Sequence, residues 1–160
     1  MAQEIERKFL VVGEYKNLAH TSMHLVQGYI ASGSRTVRVR MSDDRAWLTI
    51  KGPSKDGGLS RFEWEHEISA KEALALLPLC EGALIDKCRY LIDFEGHTFE
   101  VDEFLGDNEG LVVAEVELGS VDEAVLLPEW IGKEVTGIKR YYNSHLRSNP
   151  YSVWSDEEKS

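Results

Sequence analysis

Glu4-Ile5-Glu6-Arg7-Lys8 places two carboxylates and an amine on one face of an extended segment, because alternate side chains of a strand point the same way. Ile5, Arg7 and Phe9 take the other face. The same spacing recurs along the chain. Arg38 and Arg40 alternate with Val37, Val39 and Met41; Arg61, Glu63 and Glu65 with Phe62 and Trp64. Glu100 and Asp102 alternate with Phe99 and Val101, and Glu115 and Glu117 with Val116 and Leu118. Lys87 and Arg89 share a face, and Lys51 shares one with Trp47 and Thr49. Like charges at this spacing stand about 7 Å apart and repel. One such pair is ordinary on a surface; repetition in strand after strand points to a shared purpose. If the strands close into a barrel with these faces inward, the lumen holds a basic cluster of Lys8, Arg38, Arg40, Lys51, Arg61, Lys87 and Arg89. It also holds an acidic one of Glu4, Glu6, Glu63, Glu65, Glu100, Asp102, Glu115 and Glu117.

A cavity lined by lysine and arginine suits a polyanion, since guanidinium forks match phosphate oxygens and ammonium groups add point charge. Clustered carboxylates suit hard divalent cations such as Mg²⁺ or Mn²⁺. Together they describe a metal–polyphosphate site, in which the cation activates water or stabilises the leaving group. An open sheet with one solvated face of mixed charge explains the alternation alone equally well, because charge patterning is weak evidence strand by strand. Other phosphate and catalytic signatures are absent: no GxGxxG, no GxxxxGK[ST] and no GxSxG. His20, His24, His66, His97 and His145 show no metal-ligand spacing and read as surface or structural side chains. The segment Gly52 to Gly58 reads as a plain hairpin loop, with a lid at a tunnel mouth as the sharper alternative.

The elements that must position these groups are mostly strands. They are expected over Ile5–Val12, Leu25–Ile30, Thr36–Met41, Ala46–Lys51, Arg61–Ile68, Lys87–Phe94, His97–Phe104 and Leu111–Leu118. Capping boxes at Ser69–Glu72 and Ser120–Glu123 predict helices over Ala73–Leu79 and Ala124–Leu127, each ending near a proline. A third, broken helix is expected from about Thr136 to Arg147. The class is therefore α+β. A length of 160 residues, 42% hydrophobic and 29% charged, fits one domain over 1–150. A polar tail, 151–160, follows, and Ser155 to Ser160 is expected to fray. The net charge of -10 disfavours nucleic acid and anionic membranes as partners. Cys80 and Cys88 read as reduced thiols, no signal peptide is expected from the charged first residues, and no apolar run is long enough to span a membrane, so a cytoplasmic protein is expected.

The segment Glu4-Ile5-Glu6-Arg7-Lys8-Phe9-Leu10 resembles the ExExK signature of the CYTH superfamily, the triphosphate tunnel metalloenzymes. The likeness continues in order through Gln27-Gly28-Tyr29, Val37–Arg40, Leu48–Gly52, Arg61–Glu65, Lys87–Tyr90, Phe99–Phe104 and Ala114–Leu118. Val135-Thr136 and Lys139–Asn143 resemble the closing segment of compact bacterial members. The resemblance implies an eight-stranded antiparallel closed β-barrel with flanking helices and a small-molecule triphosphate held inside. It implies phosphate contacts from Lys8, Arg38, Arg40, Lys51, Lys87 and Arg89, with Arg61 beside them and Lys139 near one mouth. It implies metal contacts from Glu4, Glu6, Glu115 and Glu117, with Glu63 and Asp102 as further candidates. Tyr29 matches a tyrosine that works with a lysine near the attacking water, and Lys8, Tyr29 and Glu6 are the expected catalytic groups. The implied activity is metal-dependent hydrolysis of inorganic or nucleoside triphosphates. Alternatives are a class IV adenylyl cyclase, whose His-Phe-Arg-type motif is missing here, a thiamine triphosphatase, or a binding module that would not need so many carboxylates. A closed barrel has no free sheet edge, so a homodimer, expected from the frequency of two-fold pairs, would meet through other surfaces.

Overall fold

The computed structural model describes residues 2–160. The strands are β1 (Ala2–Val11), β2 (Thr21–Ala31), β3 (Thr36–Ser42), β4 (Arg45–Lys55), β5 (Ser60–Ile68), β6 (Glu81–Phe94), β7 (His97–Phe104), β8 (Val112–Glu117) and β9 (Ile131–Glu134). They pair antiparallel in the order β5-β4-β3-β2-β6-β7-β8-β1-β9, and a further β5–β1 pairing closes the first eight into a barrel. β1 is the closing stave. One edge runs along β8 from Glu6 to Leu10. The other edge is shared: residues 2–5 pair with β5, and Phe9 and Val11 pair with β9. Between them the backbone bonds of β1 go to loops. Glu6 N–H donates to the Leu59 carbonyl (2.9 Å), Lys8 N–H to Thr136 Oγ1 (2.9 Å), and Val135 N–H to the Lys8 carbonyl (2.8 Å).

Outward-facing apolar residues are covered in patches. Phe9, Ile92, Phe99, Val101, Ala114 and Val116 pack with Tyr15 and Trp130 from the connecting loops. Helix α1 (Ala70–Leu76) covers Val39 and Ala46 with Ala73. Its capping box forms as expected: Glu72 N–H donates to Ser69 Oγ (3.0 Å), and Ser69 N–H donates to the Glu72 carboxylate (2.9 Å). Ile50, Phe62 and Trp64 on β4 and β5 stay exposed. Inside, the row next to the charges is apolar. Ile85, Phe104 and Val113 pack under Tyr141, Leu146 and Trp154, so the C-terminal segment covers the lumen on that side.

Several expectations needed correction. The Ser120–Glu123 box starts no helix. The Glu123 carboxylate accepts from Gly119 N–H (2.7 Å) and pairs with His97, while Ser120 Oγ turns to Asp122 (2.9 Å). The stretch then runs without regular structure to the buried Trp130 and into β9, a strand that alternation did not reveal. The 136–147 region contains only a 3₁₀ turn, Lys139–Tyr141, and a short α2 (Asn143–Leu146), separated by the extended backbone of Tyr142. The start of the tail packs against the barrel, while residues 155–160 stay exposed. Trp154 is buried with its ring edge-to-face on Tyr141 (5.2 Å) and Tyr151 (5.1 Å), and the Glu158 carbonyl accepts from Arg140 Nε (3.2 Å). Cys80 and Cys88 are free thiols, and no helix is long and apolar enough to cross a membrane among the described residues.

Candidate active site

Strand register turns the sequence pairs into facing pairs. Glu4 stands opposite Arg61, Lys8 opposite Glu115, Lys51 opposite Glu63, and Arg89 opposite Asp102. Two facing pairs are like-charged: Glu6 with Glu117, and Glu100 with Glu115. Directly opposed like charges destabilise a sheet unless something neutralises them. One cavity inside the barrel gathers Lys8, Arg38, Lys51, Arg61, Lys87 and Arg89 with Glu6, Glu115 and Tyr29. Its rim is formed by Ser54 and Gly58 of the β4–β5 hairpin and by Thr136, Gly137, Tyr142, Asn143 and Ser144 of the C-terminal segment.

The cations differ in how they are held. Arg89 forms a fork on Asp102, with Nε at 2.8 Å and Nη2 at 2.9 Å, and Lys87 Nζ reaches the same carboxylate at 2.7 Å. Lys8 Nζ stands 3.3 Å from Glu115 and 4.9 Å over the Tyr142 ring. Lys51 Nζ bonds both Glu4 oxygens (2.9 and 3.1 Å). Arg61 donates to the Gly52 carbonyl and to Thr36 Oγ1, both at 3.1 Å. Arg38 and Arg40 are the least satisfied. They share Glu65 at 3.4 and 3.7 Å, and the buried Nε of each has no partner among the described residues. Burial and the neighbouring Arg38 and Arg89 charges pull the Arg40 guanidinium down to about 10.

The acids are arranged in pairs. Burial, with Glu115 and Glu4 nearby, pushes the Glu6 carboxyl well above the usual range. Its neighbour Glu115, despite burial, is held well below that range by Lys8, Arg89 and Lys87. The two shifts run in opposite directions, so Glu6 is the member of the pair that favours its protonated form. Glu63 and Glu4 form a second pair. Burial and the hydrogen bond to Glu4 raise Glu63 to about 7, while Lys51 keeps Glu4 ionised despite its burial. Lys87 is lowered to about 8, by burial first and by Arg89, against the pull of Asp102. Among the described residues no three acid, histidine or cysteine groups converge on one point.

Most of the expected residues come together. Glu6, Lys8, Tyr29, Arg38, Lys51, Arg61, Lys87, Arg89 and Glu115 line the cavity. Glu4 and Glu63 pair with Lys51 in the adjoining wall, Arg40 lies beyond Arg38, and Glu117 is exposed opposite Glu6. Two have other places. Both Asp102 oxygens accept from Lys87 and Arg89, so Asp102 is the counter-ion that orients those cations. Lys139 is exposed and does not line the cavity. Sequence reasoning missed Gln27, Thr36, Thr49, Thr136, Tyr142 and Asn143. Gln27 and Thr36 lie two residues from Tyr29 and Arg38 on the same strand faces, a signal that was available. Thr136, Tyr142 and Asn143 belong to the segment read as helix, where no alternation could place them.

The chain matches the CYTH domain over residues 2–144. It is 51% identical to the inorganic triphosphatase of Acetivibrio thermocellus over 159 residues, 98% of this chain and 100% of the relative. It is 38% identical to the inorganic triphosphatase of Nitrosomonas europaea over 148 residues, 89% of this chain and 95% of that one. A solved structure of an inorganic triphosphatase superposes with a TM-score of 0.65 at 35% identity, covering 92% of this chain and 95% of the other. Charges that alternation alone could have left on an open sheet line a closed barrel, and the chain belongs to the CYTH domain family.

Proposed function

We propose that the protein hydrolyses inorganic triphosphate inside the barrel with the help of a divalent cation, Mg²⁺ or Mn²⁺. The observation that carries this reading is the excess of cationic donors on the cavity wall, where Arg38, like Arg40 behind it, keeps an unpaired buried Nε. Such donors suit phosphate oxygens, and the acidic surface of the protein favours a ligand taken inside the barrel. The relatives named above support the same activity. The carboxylates fit a hard cation by donor chemistry: Glu6 and Glu115 crowd together inside the barrel, with Glu4 and Glu63 beside them and Glu117 at the rim. A cation held there would neutralise phosphate charge.

In this reading Arg38, Lys51, Arg61 and Arg89 bind the phosphate chain and align its terminal phosphorus. Water attacks that phosphorus, the bond to the bridging oxygen breaks, and pyrophosphate leaves. Lys87, with its amine lowered to about 8, is the group suited to take the water's proton near neutral pH, with the Tyr29 hydroxyl beside it. Lys8 is less suited to that task, because Glu115 beside it holds its ammonium charged despite burial. It serves as a phosphate contact.

The test is incubation with tripolyphosphate, ATP and thiamine triphosphate, each with Mg²⁺ or Mn²⁺, while orthophosphate, pyrophosphate and cyclic AMP are measured. Orthophosphate from tripolyphosphate without cyclic AMP is expected. Cyclic AMP from ATP would replace this reading with a cyclase, and tight binding without turnover would leave a binding module.

A further inference from the structure

We propose that Gln27 and Asn143 form a positioning pair that fixes the hydrogen directions of Tyr29 and Lys87 and turns both toward the reacting water. The inference rests on the reading of Tyr29 and Lys87 just given. Asn143 opens α2 in the C-terminal segment, Gln27 and Tyr29 lie two residues apart on β2, and Lys87 lies on β6. Three hydrogen bonds join them: Lys87 Nζ to Asn143 Oδ1 at 2.8 Å, Gln27 Nε2 to the same Oδ1 at 3.2 Å, and Gln27 Nε2 to Tyr29 Oη at 3.1 Å.

The polarity of this chain is dictated from one end. An ammonium only donates, so Asn143 must present its carbonyl oxygen to Lys87. The Gln27 atom facing that oxygen must then be the amide nitrogen. That nitrogen also meets Tyr29 Oη, which therefore accepts and has its own proton free to point away from Gln27. Tyr29 lines the cavity, as does Asn143, whose NH₂ is opposite its occupied oxygen. Gln27 is fully buried, and its Oε1 has no partner among the described residues. Turning the amide over would set that oxygen against Asn143 Oδ1, two acceptors in contact. The unpaired carbonyl is the consequence of an orientation imposed by Lys87. Asp102 takes a second Lys87 hydrogen (2.7 Å), so the third Nζ position faces the cavity, and in the neutral amine that accepts the water's proton this position is the lone pair.

Gln27→Glu is nearly isosteric and reverses the chain. A carboxylate cannot donate to Tyr29, so the hydroxyl proton must turn back toward position 27. The experiment measures kcat and KM for tripolyphosphate hydrolysis in Gln27→Glu, Gln27→Met, Tyr29→Phe and the doubles that combine each position-27 change with Tyr29→Phe. Gln27→Glu should lower kcat on the order of 100-fold, the scale of a misplaced reacting group. KM should stay within about threefold, because the phosphate contacts remain. Each double variant should fall no further than about twofold below Tyr29→Phe alone, because the two residues act as one unit. As a control, combining Gln27→Glu with Lys51→Met should multiply the separate losses. If Gln27→Glu unfolds on heating well below the parent, Gln27→Met carries the same cycle with a smaller kcat loss. An impaired Tyr29→Phe beside near-parental Gln27→Glu and Gln27→Met overturns the pair and leaves the proposed function standing. Losses that multiply with Tyr29→Phe overturn it too, because Gln27 would then act through general packing. A fully active Tyr29→Phe removes the Tyr29 reading and the pair with it.

Discussion

Glu6 and Lys8 sit two residues apart on one face and carry shifts of opposite consequence. Burial and the neighbouring carboxylates push Glu6 toward its protonated form, while Lys8 stays charged against Glu115. Glu6→Gln mimics the protonated acid and keeps its hydrogen bond to Glu115, so the unfolding midpoint in denaturant should not drop. Turnover of tripolyphosphate should fall on the order of 100-fold or more as the cation loses a ligand. Full activity in Glu6→Gln would remove Glu6 from the metal site. Lys8→Met should lose turnover and stability together, because it leaves the Glu115 carboxylate buried without its cation, at about 3–5 kcal/mol. Arg7 illustrates what alternation reads correctly. It points outward to Glu134 (2.8 Å) and stays out of the cavity. Asp102 illustrates where alternation stops. It is on the expected face, but two cations from the neighbouring strand take both its oxygens.

At the scale of elements, the division of the β1 edge decides the shape of the mouth. Between its pairing with β5 and with β9, β1 bonds the Leu59 and Thr136 loops, and these loops touch each other. Gly58 lies against Gly137, and both have positive φ (94° and 78°). A Cβ on residue 137 would overlap the Gly57 carbonyl oxygen. Gly137→Ala should therefore cost more than the ~1–2 kcal/mol of a left-handed backbone alone. It should push the hairpin tip off the C-terminal segment and raise KM for tripolyphosphate. Thermal unfolding and steady-state kinetics check this; an unchanged midpoint and KM would show that the contact does not hold the hairpin. The sequence marked 52–58 as a loop. Its partner, 80 residues further on, became visible only when β9 returned the chain to β1.

Over the whole molecule, the barrel stores charge that a ligand is suited to balance. Glu63 binds its proton up to about 7 in the folded state and up to 4.5 when unfolded, and Glu6 shifts the same way. The folded state thus binds more protons in that window, so stability should fall as pH rises from 4.5 to about 7. Melting curves of metal-free protein should show this fall, and Glu63→Gln should flatten it. Mg²⁺ or Mn²⁺ added above that window should raise the midpoint, since a ligand bound only by the folded state stabilises it. A slope unchanged in Glu63→Gln would sink the assignment of the shared proton to the Glu4–Glu63 pair.

The face on which each charge lies was legible in the sequence, because alternation follows from covalent geometry and needs no partner. The same holds for the Ser69–Glu72 cap, whose bonds span three residues. The barrel's staves, the basic and acidic sets and the outward turn of Arg7 were readable for that reason. Tertiary structure decided everything that depends on residues brought from afar. It made Asp102 a counter-ion, left Arg38 and Arg40 with free donors, and pushed the neighbours Glu6 and Glu115 in opposite directions. It also kept Ser120–Leu127 from becoming a helix, because Glu123 is drawn to His97 and Trp130 is buried against Phe99. For Glu4-Ile5-Glu6-Arg7-Lys8, local spacing chose which side chains enter the lumen, and the strands opposite chose their protonation and their partners.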